Sequence, residues 1–544
     1  MLEGQMMDRS LLIIDILKHA AETYPAIEIV SRTVEGPVHR YGYRDAFKRT
    51  AQLAHALKGL GIEEGDRVAT IAWNTYRHFE LYYGVSGIGA VCHTINPRLF
   101  EDQLEYIVNH ADDRVIFVDA NLLPLVEKMD GRFPGVKAVI VMTDRAHMPE
   151  TKLANVHCYE ELLEGQPETY DWPELDERAA SAMCYTSGTT GNPKGSLYSH
   201  RSTVLHAFGL LAPAVLPYGI GKAVLPVVPM FHVQAWGQPY AAPIAGTKLV
   251  MPGPKLDGES LFELMEDEGV TLTLGVPTIW MGLLTHLRET GKRFTHLTHL
   301  VSGGAAIPLS MIKAYEEEFG LNVVQGWGMT ETSPVCCAGA EGPEMDGLED
   351  DARHELKLRE RKFFGVDLRL VDEDGGILPH DGDTPGELQC RGPWVINGYY
   401  NDAEATAAAM TDDGWFRTGD VATLTDAGLL QITDRTKDLI KSGGEWISSI
   451  DLENEVMSHP GVAEAAAIAM PHPKWQERPM LVIVAHEGKQ PSANELRAYL
   501  ADKIVSWWMP DDIAFVDELP HTATGKVSKL QLRERFKDHV LSTV

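Results

Sequence analysis

Short apolar runs alternate with longer amphipathic stretches along most of this chain, and that alternation limits its fold more than any other feature. Val115–Val118, Val139–Met142, Ala223–Val228 and Leu249–Met251 are brief and mostly rich in β-branched residues, whereas Tyr43–Leu60 and Leu261–Glu268 carry the apolar spacing of helices. Runs that are apolar throughout suit strands buried on both faces, so the succession predicts an α/β protein with largely parallel sheets packed with helices. A chain of 544 residues exceeds what one ordinary core can hold, so at least two domains are expected. The last hundred residues change character. Val462–Met470, Met480–His486 and Ile513–Val516 read as strands, Ser492 with Glu495 as a capping box opening a helix through Lys503, and Lys529–Lys537 as a last helix. This predicts a small α+β unit, with its border near Asp434–Lys437, just after a strand at Gly428–Thr433. No internal repeat is visible.

Charge narrows the function. The net charge is −30 and the pI near 5.1, a balance that argues against nucleic acid and leaves any bound phosphate dependent on locally placed cations and backbone N–H groups. The six cysteines form no C-x-x-C and no Cys/His metal spacing, which reads as buried thiols in a reducing compartment. The uncharged stretch between Lys222 and Lys248 holds four prolines together with His232, Gln234 and Gln238, and suits a pocket wall better than a membrane span. The charges of Met1–Ser10 do not fit a signal peptide, so a cytoplasmic protein is expected.

The densest local signal is Tyr185-Thr186-Ser187-Gly188-Thr189-Thr190-Gly191-Asn192-Pro193-Lys194-Gly195, entered from the apolar strand Ala182–Tyr185. Three glycines let backbone N–H groups converge, four hydroxyls add donors, and Lys194 adds a cation: the requirements of a polyphosphate site. The loop is not a Walker A motif, because Asn192 and Pro193 separate the glycine from the lysine. It resembles the signature loop of the adenylate-forming superfamily of acyl-CoA synthetases, luciferases and peptide-synthetase adenylation domains.

Further motifs follow in that superfamily's order: Ser302-Gly303-Gly304-Ala305-Ala306; Gln325-Gly326-Trp327-Gly328-Met329-Thr330-Glu331; Thr418-Gly419-Asp420; Asp434-Arg435-Thr436-Lys437-Asp438; Lys441-Ser442-Gly443-Gly444-Glu445-Trp446; and Thr524-Gly525-Lys526. The resemblance covers about residues 10 to 540. It implies an adenylation domain at 1–434 and a mobile C-terminal domain at 435–544, with the hinge near Lys437. It implies that Thr186, Ser187, Gly188, Thr189, Thr190 and Lys194 hold the phosphates, and that Gly303, Gly304, Ala305 and Gln325 through Thr330 hold the nucleotide. Asp420 would hold the ribose hydroxyls, and Arg435 would contact the nucleotide. Glu331, with Thr186, would bind Mg²⁺. Lys526 would neutralise charge between the acid and the α-phosphate. Lys441, Gly443, Gly444 and Trp446 would serve coenzyme A. Asp434 departs from the glycine more common in the superfamily. Lys529 reads as helix surface.

The segment Pro229–Trp236 resembles the acyl site, with His232 near the carboxylate and Trp236 like the tryptophan that gates the acyl tunnel; Gly304, Trp327 and Pro334 join that pocket. His93–Arg98 and Trp507–Asp511 resemble the branch of medium-chain fatty-acyl and 3-(methylthio)propanoate-CoA ligases. The resemblance therefore implies a ligase that uses ATP, Mg²⁺ and coenzyme A on a short- to medium-chain acid, and a homodimer. A long-chain acid, or an acceptor on a carrier protein, are the alternatives.

Overall fold

The computed structural model describes residues 2–186, 192–212, 216–443, 445–486, 488–522 and 526–543. Two large sheets dominate. One has eight strands in the order Val335–Ala338, Asn322–Gly328, His299–Gly303, Leu272–Gly275, Ala223–Pro226, Lys248–Met251, Glu28–Arg32, Val38–Gly42; its inner pairs are parallel and its two edge pairs antiparallel. The other has seven, in the order Val156–Cys158, Ala138–Met142, Asp113–Asp119, Arg67–Ile71, Val91–Thr94, Ala180–Tyr185, Gly195–Ser199, parallel except for the last pair. The apolar runs become these strands because helices cover them. The helix Tyr76–Gly87 is buried along its whole length, and its charged groups are paired there, Arg77 with Glu160 at 2.8 Å and Glu80 with Arg49 at 2.7 Å. Its Tyr83 hydroxyl donates to the Pro239 carbonyl at 2.7 Å, tying the helix to the region of the uncharged stretch.

A third sheet departs from the expected parallel pattern. Glu360–Arg361, Leu429–Arg435, Phe416–Leu424, Gly386–Arg391 and Asp367–Val371 pair antiparallel throughout. Antiparallel neighbours need no crossover connection: a short turn joins Phe416–Leu424 to Leu429–Arg435, while the longer segment before Phe416 carries the helix Ala403–Ala409. The fourth sheet, made by the α+β segment, contains Glu445–Ile447, Ile440–Ser442, Gln476–Ala485, Val462–His472 and Asp512–Phe515. The last strand of the third sheet ends at Arg435 and the first of the fourth begins at Ile440, so Lys437 lies in the connection. The capping box is present: the Ser492 N–H donates to Glu495 Oε2 at 2.7 Å, and the Glu495 N–H to Ser492 Oγ at 3.2 Å. All six cysteines are buried thiols. No helix is long and apolar enough to cross a membrane among the described residues.

Candidate active site

A cavity of about 570 Å³ lies where the C-terminal ends of parallel strands from both large sheets face the C-terminal segment. Crevices of this kind are where open α/β sheets bind ligands, because loops leave the strands there without backbone partners.

Thr186 and Lys194 close the base of the glycine-rich loop. The Thr186 N–H donates to the Lys194 carbonyl at 2.9 Å, and the Lys194 N–H to Thr186 Oγ1 at 3.1 Å. Ser187, Gly188, Thr189 and Thr190 lie outside the described residues. The Lys194 ammonium stands 5.0 Å over the Tyr399 ring, and the Tyr399 hydroxyl donates to Glu331 Oε1 at 2.7 Å. Burial pushes the Glu331 carboxyl above the usual carboxylate range, opposed by the Tyr399 hydrogen bond and by the charges of Arg435 and Lys194. Cation, aromatic ring and carboxylate thus form one unit lining the cavity. Among the described residues no group of three or more His, Cys, Asp or Glu could cage a metal ion. One carboxylate beside a triphosphate site still fits Mg²⁺, which takes one or two carboxylates and completes its shell with phosphate oxygens and water.

Gly303 and Gly304 follow a strand end. A side chain at Gly303 would meet the Gly326 carbonyl at 2.8 Å and the Trp236 ring at 2.9 Å, and Gly304 has φ +78°. Only glycine fits the first position, and glycine is favoured at the second. Gly304, Ala305, Gly326, Trp327, Gly328, Met329 and Thr330 line the cavity. The Trp327 indole N–H donates to Asp420 Oδ2 at 2.9 Å, and Asp420 Oδ1 lies 3.5 Å from Arg435 Nε, so Asp420 stands one step behind the wall.

Gln325 does not border the cavity. Its amide N–H group donates to Glu360 Oε1 at 2.7 Å and to the Leu358 carbonyl at 3.0 Å, while its oxygen accepts the Ile307 N–H at 3.1 Å. Its side chain is thereby a buried strut beside the Gly303–Ala306 turn.

His232, Trp236 and Pro334 line the cavity, together with Leu210, Val335 and Ala338. Burial, reinforced by the Lys526 charge, lowers the His232 pKa to about 3, so its imidazole is neutral at physiological pH. The backbone after it is unusual: Val233, Gln234, Ala235 and Trp236 have φ of 45°, 54°, 50° and 54°. A left-handed turn costs roughly 1–2 kcal/mol per residue, and this one survives because it is fastened. The Ala235 N–H donates to the Pro229 carbonyl at 3.2 Å, and the Val233 N–H to Cys184 Sγ at 3.4 Å. The turn lays the Trp236 ring against Gly303.

Lys526 reaches this cavity from the far end of the chain. Its side chain passes 3.4 Å from where a substituent on Gly304 would stand. Burial and the neighbouring Arg435 charge lower its pKa to about 8, against the pull of Asp420 and Glu331. Arg435 and Lys437 also line the cavity. Lys441, Gly443 and Trp446 do not. Lys441 Nζ lies 3.1 Å from Glu373 Oε1 and 5.6 Å over the Trp446 ring, and Gly443 is backed by Trp475 and Trp507. Gly444 lies outside the described residues. Lys529 is not helix surface: its ammonium is buried against Glu453, 2.7 Å away, and beside Ser449. Asp434, whose Oδ2 accepts the Ser449 N–H at 2.6 Å, adds a second carboxylate to that nest.

Two residues of this site carry no motif signal: Tyr399 orients Glu331, and Tyr198 donates its hydroxyl to the Thr330 carbonyl at 2.7 Å. Arg98, at the end of the segment His93–Arg98, also lines the cavity.

The chain's similarities agree with this geometry. The AMP-binding enzyme family model matches residues 17–400, and that of the AMP-binding enzyme C-terminal domain matches 451–526. A 3-methylmercaptopropionyl-CoA ligase from Ruegeria lacuscaerulensis is 48% identical, covering 98% of this chain and 99% of its own length. A medium-chain-fatty-acid–CoA ligase from Ectopseudomonas oleovorans is 45% identical over 99% of this chain and 98% of its own. A long-chain-fatty-acid–CoA ligase from Thermus thermophilus is 47% identical over 98% and 97%. The crystal structure of the anthranilate CoA ligase AuaEII superposes with a TM-score of 0.87 at 24% identity, covering 98% of each chain, and shares the fold.

Proposed function

Because this chain belongs to the AMP-binding enzyme family and is an acyl-CoA synthetase, we propose that it joins a short- to medium-chain fatty acid or 3-(methylthio)propanoate to coenzyme A through an acyl-adenylate. The observation that carries this reading is the meeting of Lys526 with His232, Glu331 and Lys194 in one cavity. A carboxylate is a poor electrophile, so a thiol can attack it only after activation. In the first step a carboxylate oxygen attacks the α-phosphorus of ATP, the bond to the bridging oxygen breaks, and its electron pair leaves with pyrophosphate. The Lys526 ammonium neutralises the charge between acid and phosphate. Thr186, Ser187, Gly188, Thr189, Thr190 and Lys194 hold the phosphates, and Arg435 the nucleotide. Asp420, fixed by the Trp327 indole, accepts from the ribose hydroxyls. Mg²⁺ would be held by Glu331 and Thr186 and, when bound, supplies positive charge beside the phosphates. The neutral His232 borders the carboxylate, and Leu210, Trp236, Pro334, Val335 and Ala338 take the chain.

In the second step the thiol attacks the mixed anhydride and AMP leaves. Residues 435–544 turn about Lys437 relative to 1–434 and present Lys441, Gly443, Gly444 and Trp446 to coenzyme A. The apolar wall and the names of two relatives support the acid class. The Thermus thermophilus relative favours a long-chain acid as the second reading. We place the enzyme in the cytoplasm, where its six buried thiols would stay reduced, and take it to be a homodimer.

Pyrophosphate release with ATP, Mg²⁺ and coenzyme A across acetate, 3-(methylthio)propanoate, octanoate and palmitate tests the reading. A coenzyme-A-dependent maximum at the middle two supports it. A maximum at palmitate replaces the acid class, and a signal only with carrier protein replaces the acceptor.

A further inference from the structure

Resting on the ligase reading and its hinge at Lys437, we propose that Asp434 and Lys529 are positioning residues for adenylation. Their buried nest docks the C-terminal segment where Lys526 enters the cavity, and it parts when that segment turns for thioester formation.

Asp434 belongs to the adenylation side of the hinge. It lies in the strand Leu429–Arg435, opposite Val421 in the third sheet, and is 1% exposed. Its Oδ1 accepts the Arg435 N–H at 2.7 Å, and its Oδ2 accepts the Ser449 N–H at 2.6 Å. Ser449 opens the helix Ser449–Met457 of the C-terminal segment, so a carboxylate from one side of the hinge meets the positive end of a helix from the other. Ser448 adds a second bond across the hinge, its hydroxyl donating to the Thr433 carbonyl at 2.7 Å. Lys529 closes the nest. Its ammonium lies 2.7 Å from Glu453, one turn along the same helix, and donates to Ser449 Oγ. Glu453 Oε1 also accepts the Ala467 N–H at 2.7 Å, which fastens the helix to the strand Val462–His472. Lys529 follows Lys526 by three residues, and Ser528 between them donates its N–H to the Pro520 carbonyl at 2.7 Å. Bonds thus run without a break from Asp434 through Ser449 to Lys529, and the chain carries them on to Lys526.

The place of these bonds gives them their effect. Asp434 and Thr433 precede Lys437, whereas Ser448 and Ser449 follow it, so a rotation about Lys437 separates each pair. A contact made in one orientation and lost in the other shifts the balance between them by its own free energy. Burial makes this contact count, because a charge-assisted hydrogen bond is stronger away from water. A further ion pair across Lys437 joins Lys441 to Glu373 at 3.1 Å, but both ends are exposed and the pair contributes little. The nest acts through the place it gives Lys526, not through a contact with substrate.

The test compares the two half-reactions in the full-length enzyme: pyrophosphate release from ATP and octanoate, and thiolysis of preformed octanoyl-AMP by coenzyme A. Asp434→Ala should slow the first about tenfold, the loss of one charge-assisted contact, with the KM for ATP and for octanoate within about twofold of wild type. Thiolysis should stay within about twofold of wild type or rise, which also shows that the variant is folded. Asp434→Asn keeps an oxygen for the Ser449 N–H and should recover part of the adenylation rate. Lys529→Met should slow adenylation in the same selective way, and the double variant should fall no more than about twofold below the slower single one, because both changes open one nest. Unchanged adenylation, an equal loss in thiolysis, or losses that multiply in the double variant would each overturn the assignment. So would a rise confined to the KM for ATP, which would make Asp434 a support for Arg435 at the nucleotide. Wild-type enzyme inactive in both half-reactions would instead remove the ligase reading, and this inference with it.

Discussion

Lys526 should give the adenylation step an alkaline limb that the thioester step lacks. The active form is the ammonium, and its pKa is lowered to about 8 by burial and by Arg435. The sign follows: a cation with a depressed pKa loses its charge as pH rises through that value. About nine in ten side chains are charged at pH 7 and about one in ten at pH 9. The value kcat/KM for pyrophosphate release, which reports the free enzyme, should therefore fall about tenfold per unit above pH 8. The kcat limb should lie higher, because bound phosphates favour the ammonium. Lys526→Ala should slow adenylation by about 10²–10³-fold, the typical loss of one preorganised donor, and spare thiolysis of preformed acyl-AMP. Lys526→Arg keeps a charge at all accessible pH and should abolish the limb even where it lowers the rate. Stopped-flow pyrophosphate release from pH 6 to 10, beside coenzyme A thiolysis of acyl-AMP, separates these effects. A flat adenylation profile to pH 9.5, or equal losses in both half-reactions, would refute the reasoning.

Trp236→Ala should lengthen the preferred acid. Each methylene newly taken from water is worth about 0.8 kcal/mol, so two should raise the palmitate-to-octanoate ratio of kcat/KM by about tenfold; an unchanged ratio means the ring does not bound the chain. Glu331→Gln should lower adenylation by about 10²-fold without rescue by excess Mg²⁺, and an unaltered Mg²⁺ titration would remove Glu331 from the metal site. Lys437→Pro should stall thioester formation while adenylation proceeds, and a normal second half-reaction would place the hinge elsewhere. Gln325→Leu should leave the Ile307 N–H and the Glu360 carboxyl short of a partner. A loss of about 1–3 kcal/mol per unpaired group should show as a lower urea midpoint; a selective rise in the KM for ATP at full stability would restore Gln325 to the nucleotide site.

What could be read from the sequence was whatever a continuous segment decides by itself. The strand Ala180–Tyr185 feeding a glycine-rich loop, and the box Ser492–Glu495, need only neighbours in the chain. What escaped depends on partners far along it. Lys529 looked exposed by its place on a terminal helix, yet Glu453 and the unusual Asp434 bury its charge. Gln325 stands in a motif, and nothing in that motif shows that Glu360, 35 residues away, accepts from its amide. The left-handed turn 233–236 has no propensity behind it, since four consecutive non-glycine residues adopt it only where packing overrules local preference. Arg98 shows the same limit most sharply. It is one of 48 lysines and arginines, and composition cannot rank it among them. Only the order of the seven-stranded sheet, which sets Val91–Thr94 beside Ala180–Tyr185 across nearly ninety residues of chain, brings it to the cavity that Thr186 and Lys194 also line.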